Sequence, residues 1–435
     1  MSRLKWLAGA ALALAVGCGA QAVAAPAAGR FDAAVFAQAK RLQPKVIAWR
    51  RDIHEHPELG NREVRTAKLV ADHLRALGLE VRTGVGVTGV VGILKGGKPG
   101  GVVALRADMD ALPVAEQTGL AFASKVTAEY NGQTVSVMHA CGHDAHVAIL
   151  MGAAEALAAM RKEIPGTIVF IFQPAEEGPP VGEEGGAALM IKQGALKNPA
   201  PSAIFGLHVW PGEAGSLTWR PGPFMAASDS FQITLHGKQT HASAPWAGVD
   251  IASTAADVIT AFNQIAARQI NVTRTPTVLT VATIHGGVRA NIIPDDMVLT
   301  GTMRSFDPAL RKDALAKVER AVASIAERYG ATGKIVWRGN GVVTSNDPAL
   351  VAHTTVSLSH AAAGKVNGQS DYVTASEDFS RYQLEIPGFF YFLGIGPSPG
   401  ANHSPFFNVM DEAALEVGVR AQALTALDYL QSLKR

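Results

Sequence analysis

The chain is poor in cysteine, in aromatic side chains and in charge of either sign. Only two cysteines, Cys18 and Cys141, occur in 435 residues. That excludes a disulfide-stapled scaffold. Lys and Arg number 39 against 37 Asp and Glu, a formal net charge of +2. With no long basic run, nucleic acid binding through phosphate contacts is not expected. A hydrophobic content of 48% with only 17% charged residues excludes a disordered chain and suits a large folded core. Long apolar runs are also missing. The most marked, WLAGAALALAVG near the N-terminus, is too short to span a bilayer comfortably, so no transmembrane span is expected in the mature chain.

That same stretch sits in a recognisable order. MSRLK carries positive charge, the apolar segment follows, and AQAVAA supplies small residues. The pattern predicts a secretory signal peptide over residues 1–24, cleaved after Ala24, because a cut after Ala25 would leave Pro26 at the new N-terminus. A competing pattern is a lipoprotein signal ending at Cys18, with Ala15 where a larger aliphatic residue is usual. The expectation is an exported protein, periplasmic or secreted, with lipid anchoring at Cys18 as the alternative. Cys141 is then the mature chain's one thiol, or one of two. In an oxidising compartment such a thiol is reactive unless it is buried or coordinated.

Beyond about Arg30 the sequence alternates helical stretches with short β-branched runs. PKVIAWRRDIHEHPE and REVRTAKLVADHLRALG read as helices, the second ending at Gly78. GVVALRAD, GTIVFIFQ and SAIFGLHVW read as strands, with HVAILMGAAEALAAMRK as a helix between the first two. Apolar runs separated by helices predict an α/β fold: a mostly parallel sheet with helices on both faces. Ligands in such sheets sit at the carboxyl ends of the strands. From Pro223 to Gly339 the order is β-α-β-β-α-β, the ferredoxin-like pattern. Asp307 and Pro308 start its second helix as N-cap and first-turn residue. The expectation is an α+β domain over 223–339 inserted in a catalytic domain built from 30–222 and 340–435.

The residues suited to chemistry cluster at the strand ends. In MHACGHDAH, Cys141 and His143 are one residue apart, with Gly142 permitting an unusual backbone angle between them. Thiolate and imidazole both suit zinc. His139 and His146 are read as structural or as partners of ligands. In QPAEEG the carboxylates of Glu176 and Glu177 cannot point the same way, so one suits a metal and the other a proton-accepting role. Glu183 and Glu184 lack that setting and read as surface. His208 in FGLHVWP and His403 in GANHSPFF complete a possible set of five ligands, enough for two metals if one ligand bridges or water completes the shells. Asp108 and Asp110 of RADMDALP read as ligands, as carboxylates orienting a histidine, or as turn residues.

From about Arg50 to near the C-terminus the sequence resembles the hippurate hydrolase and auxin-conjugate amidohydrolase family, a branch of the co-catalytic dinuclear zinc peptidases. The resemblance is carried by RRDIHEHPELG, RADMDALP, MHACGHDAH, QPAEEG, GLHVWPG, HASAPW, ANIIPD, GTMRSFD, SEDFS and NHSPFF in order. It implies two divalent metal ions, zinc by default with manganese, cobalt or nickel also suited, on Cys141, His143, Glu177, His208 and His403. Cys141 would stand where relatives place a bridging aspartate, and Asp108 where many have a ligating histidine. Asp110 would orient a ligand, and Glu176 would be the general base and later the proton donor. The inserted domain would be a lid and dimerisation domain. Its His241 would reach the partner subunit's site to stabilise the oxyanion, and Asn291 and Arg304 would bind the substrate's amide and carboxylate. The loop GPPVGEEGGAALM departs from the family's Gly-rich version.

The expected activity is hydrolysis of the amide of an N-acyl amino acid, aromatic acyl groups included. A dipeptidase or carboxypeptidase with the same centre is the second reading. A periplasmic metal- or ligand-binding protein without turnover is the third, and Glu176 argues against it, because a binding protein has no use for a base beside the metal.

Overall fold

The computed structural model describes residues 29–433. The expected signal segment and Cys18 lie outside the described residues. The chain opens with helix α1 (Asp32–Glu55) and helix α2 (Val64–Ala76), then strands β1 (Glu80–Val85), β2 (Gly89–Lys95) and β3 (Lys98–Asp108). Helix α3 (His143–Ala159), β4 (Pro165–Gln173) and β5 (Ile204–Trp210) follow. Next come β6 (Ala227–His236), α4 (Ile251–Gln264), β7 (Thr277–His285), β8 (Asp296–Ser305), α5 (Pro308–Arg328) and β9 (Thr332–Arg338). The chain ends with α6 (Pro348–Ala361), β10 (Gly388–Gly394) and α7 (Ala414–Ser432).

The first and last groups build one sheet in the order β1-β2-β4-β3-β5-β10, extended at the β10 edge by the short segments Leu217–Thr218 and Val366–Asn367. Its centre, β4-β3-β5-β10, is parallel, while β1 and β2 run antiparallel at one edge. β10 is buried at every position and β5 at all but Trp210, as central strands covered on both faces must be. Helix α3 is apolar nearly all round and buried on almost every side, packed with α1 and α7 over one face. The other face is covered by Ala187 and Met190 and by Phe379 and Tyr382.

The middle group forms a separate antiparallel sheet, β7-β8-β6-β9, with α4 and α5 on one side, the ferredoxin-like order. Asp307 caps α5 by accepting from the N–H groups of Ala309 and Leu310, and Pro308 occupies its first turn. Its core draws only on residues between Phe231 and Trp337. The two crossings between the layers are themselves paired, Gly222–Met225 against Thr344–Asn346. One element departs from the sequence reading. The helix expected to run through VDIASTAADVITAFNQIAARQ is α-helical only to Gln264 and then widens to a π turn over Ile265–Gln269. The wider turn places Ile265 and Ile270, five apart, both in the lid core, with Ile270 N–H donating to Ile265 O.

Candidate metal centre

β3, β4 and β5 end side by side, and the polar motifs follow directly from those ends. Gly142 has φ +91°, and a Cβ there would lie 2.3 Å from Val209 Cγ2, so only glycine allows Cys141 and His143 to leave the turn towards one point. Asp110, just beyond β3, holds His143. The imidazole Nδ1 donates to Asp110 O at 2.8 Å, with Asp110 Oδ1 at 3.2 Å, which leaves Nε2 buried and without a partner. His208 Nδ1 donates to Val209 O at 2.6 Å, so its Nε2 also faces inward, 3.4 Å from Cys141 Sγ. In the neutral form each ring thus keeps its proton on Nδ1 and turns Nε2 inward, the arrangement that binds metal.

After β4 the chain turns through Ala175, whose φ of +52° is uncommon for a residue with a side chain. Two carboxylates hold that turn: Ala175 N–H donates to Glu63 Oε1 at 2.9 Å, and Glu177 N–H to Asp110 Oδ2 at 2.9 Å. Glu177 Oε1 then lies 2.9 Å from His403 Nε2. Donor atoms of Cys141, His143 and His208 all fall within 4.8 Å of one another, and so do those of Cys141, Glu177 and His403. The two triads share Cys141. Five residues thus offer two three-donor sets that share the Cys141 sulfur, and the orphaned Nε2 of His143 and the sulfur–nitrogen–oxygen donors would suit late divalent cations.

Asp108, His143 and His146 also converge, but that set is already consumed. Asp108 accepts from Arg106 and from His146 Nδ1, and His146 Nε2 accepts from Val209 N–H at 2.8 Å. His146 is structural. His139 is buried beyond reach of solvent, and burial holds its ring near pKa 3. Glu183 and Glu184 pair with Arg62 and Lys192 at the surface.

Glu176 stands apart from the ligands it adjoins. Burial, and then the charges of Glu377, Glu177 and Asp378, push its carboxyl well above the usual range. It lines a cavity of about 490 Å³ together with Cys141, Glu177, His208, His403 and Arg304. Candidate metal donors, a carboxyl group and a guanidinium therefore share one space.

The family model for peptidase family M20/M25/M40 matches residues 104–428. The chain belongs to this family. It is 42% identical over 399 residues to thermostable carboxypeptidase 2 of Saccharolobus solfataricus, covering 90% of this chain and 96% of that one. It is 35% identical over 397 residues to N-acetylcysteine deacetylase of Bacillus subtilis, covering 91% and 99%. Among solved structures, a dinuclear metal binding peptidase of the M20 family from Bacillus subtilis aligns at a TM-score of 0.74 and 34% identity, covering 90% of this chain and 99% of that one. This M20 chain is a metal-dependent hydrolase of amide bonds.

Within this M20 chain, the residues named from sequence divide into two groups. Cys141, Glu176, Glu177, His208, His403 and Arg304 line the cavity, and His143, Asp108 and Asp110 lie beneath it. His241 and Asn291 are not among the lining residues. They sit together on an exposed ribbon of the lid, Thr240–His241 against Ile292–Ile293, where Ala242 N–H donates to Asn291 O at 3.0 Å. Sequence reasoning missed Glu63 and Arg106. Glu63 stands just before α2, and nothing in its sequence neighbourhood signals the turn it holds 112 residues away.

Proposed function

We propose that this chain hydrolyses the amide of N-acyl amino acids, with two divalent ions, zinc first among them, on Cys141, His143, Glu177, His208 and His403. The observation that carries this reading is that Arg304 shares one cavity with the ligand cluster and Glu176. A guanidinium on the cavity wall suits a free carboxylate, the group that an acyl amino acid presents beside its scissile amide. A carboxypeptidase or dipeptidase is the second reading, favoured by the 42% identity to a carboxypeptidase.

When bound, the metals supply positive charge that polarises the scissile carbonyl and brings the pKa of water from about 15.7 to about 7. Glu176 accepts the proton of the attacking water on its carboxylate and delivers it to the nitrogen of the leaving amine. His241 Nδ1 accepts from Ser243 N–H at 3.1 Å, so in the neutral ring the proton is on Nε2, free to donate to a carbonyl oxygen gaining charge. That donor belongs to the partner in a homodimer joined through the lid, with Asn291 beside it holding the substrate amide. Export by the N-terminal segment places this chemistry outside the cytoplasm.

A panel of acyl amino acids and dipeptides on zinc-reconstituted protein tests the reading. Turnover of acyl amino acids, abolished by chelator and restored by metal, is the expected result. Hydrolysis of dipeptides alone would transfer the assignment to the second reading, and unchanged activity in metal-free protein would remove both.

A further inference from the structure

The arginine of RADMDALP and the acidic pair of SEDFS take no part in the ligand cluster, yet the structure joins them beside Glu176. Arg106, on β3, is fully buried. Its Nε donates to Gln173 Oε1 at 2.9 Å and its Nη1 to Asp108 Oδ2 at 2.6 Å. Its Nη2 donates to Glu377 Oε1 at 2.9 Å and to Asp378 Oδ1 at 3.1 Å. Asp378 is held from two further directions, by Gln173 Nε2 at 2.7 Å and by Ala187 N–H at 2.7 Å. The backbone N–H of this same Asp378 donates to Glu176 Oε1 at 3.2 Å. Among the described residues it is the only protein hydrogen bond to the Glu176 side chain.

We propose that Arg106 is a positioning residue for the hydrolytic step: it clamps the Glu377–Asp378 turn to the ends of β3 and β4, so that the Asp378 N–H fixes the direction in which Glu176 faces the ligand cluster. This rests on the reading of Glu176 as the proton carrier. A planar guanidinium can satisfy four acceptors in fixed directions at once, which an ammonium on a flexible stem cannot. Two carboxylates from a distant segment are thereby held at a defined place beside Glu176, their charge offset only in part by the single guanidinium. A misplacement of about 1 Å in a reacting group costs on the order of 100-fold in rate.

Arg106→Lys keeps the buried positive charge and loses the fork. On the zinc-loaded full chain, with the best-hydrolysed member of the panel above, kcat is expected to fall by about 100-fold. KM and metal content per chain should stay at wild-type values. Should the lysine variant fail to fold, Asp378→Asn carries the test. It keeps an oxygen for Gln173 and Arg106 but loses the acceptor for Ala187 N–H, and kcat is expected to fall by about 10-fold with KM and metal content unchanged. Wild-type kcat in a folded, metal-loaded variant overturns the proposal, and so does a loss of activity that tracks a loss of metal. Glu176→Gln is assayed alongside. If it remains active, the proton-carrier reading fails and the positioning role with it; if it is inactive while Arg106→Lys turns over normally, only the positioning role fails.

Discussion

The floor of the cavity and the ribbon of the lid place their functional groups in opposite ways. On the floor, His143 and His208 are each oriented by a backbone carbonyl, and Asp110 reaches both His143 and the Glu177 backbone. On the ribbon, the exposed His241 has only Ser243 against its ring, and Trp246 nearby is 83% exposed. The difference teaches where preorganisation comes from. The floor is fixed within one chain by burial and hydrogen bonds, at positions where a misdirected polar group would be costly. The ribbon presents its imidazole outward, where nothing buries it.

The hardest test of the floor is Glu176→Gln. Turnover is expected to fall by about 10³-fold or more while metal content is unchanged, since general base catalysis contributes about 10²–10⁴-fold. Metal analysis with single-turnover assays checks it, and near-normal turnover would break the assignment. His241→Ala is expected to cost on the order of 10²–10³-fold in kcat, the worth of one oxyanion donor. Mixing that variant with Glu176→Gln sharpens the contrast. Recovered activity in the mixture means that floor and ribbon come from different subunits, and recovery at no mixing ratio would return His241 to its own chain.

The smallest effect is expected at Glu63, where only stability should change. Burial, and next the charge of Asp110, lift the Glu63 carboxyl to about 8. A raised pKa in the folded state means that its contribution is complete below the unfolded value and is lost as pH rises through the folded one. Between pH 4.5 and about 8 the wild type should therefore lose stability relative to Glu63→Gln, by at most about 1.4 kcal/mol per pH unit. Parallel denaturant midpoints across that range would contradict it.

The convergence of the candidate donors was legible in the sequence because they are rare residue types placed at the ends of buried runs. Cys141, His143 and Glu177 each follow such a signal, and Gly142 announced the turn between the first two. What escaped notice was the support. Arg106 meets Glu377 271 residues away, and Glu63 meets Ala175 across 112 residues. Local patterning has no mark for contacts of that range, and an isolated Arg or Glu reads as solvated surface until its partners are known. The lid was readable as β-α-β-β-α-β because its elements are consecutive. Its one surprise, the π turn after Gln264, arose from a five-residue spacing of isoleucines that a 3.6-residue period does not register.

The sheet order has a consequence for how the molecule comes into being. The lid is complete once β9 ends at residue 338, but β10 (388–394) lies inside the large sheet, and α7 (414–432) closes over α1 and α3 only afterwards. Synthesis therefore delivers a finished lid on an open catalytic layer, whose long-range strand pairing is the slow step. His403 is the last of the proposed ligands to arrive, so on that reading a nascent chain should acquire its metal centre only at the close of folding.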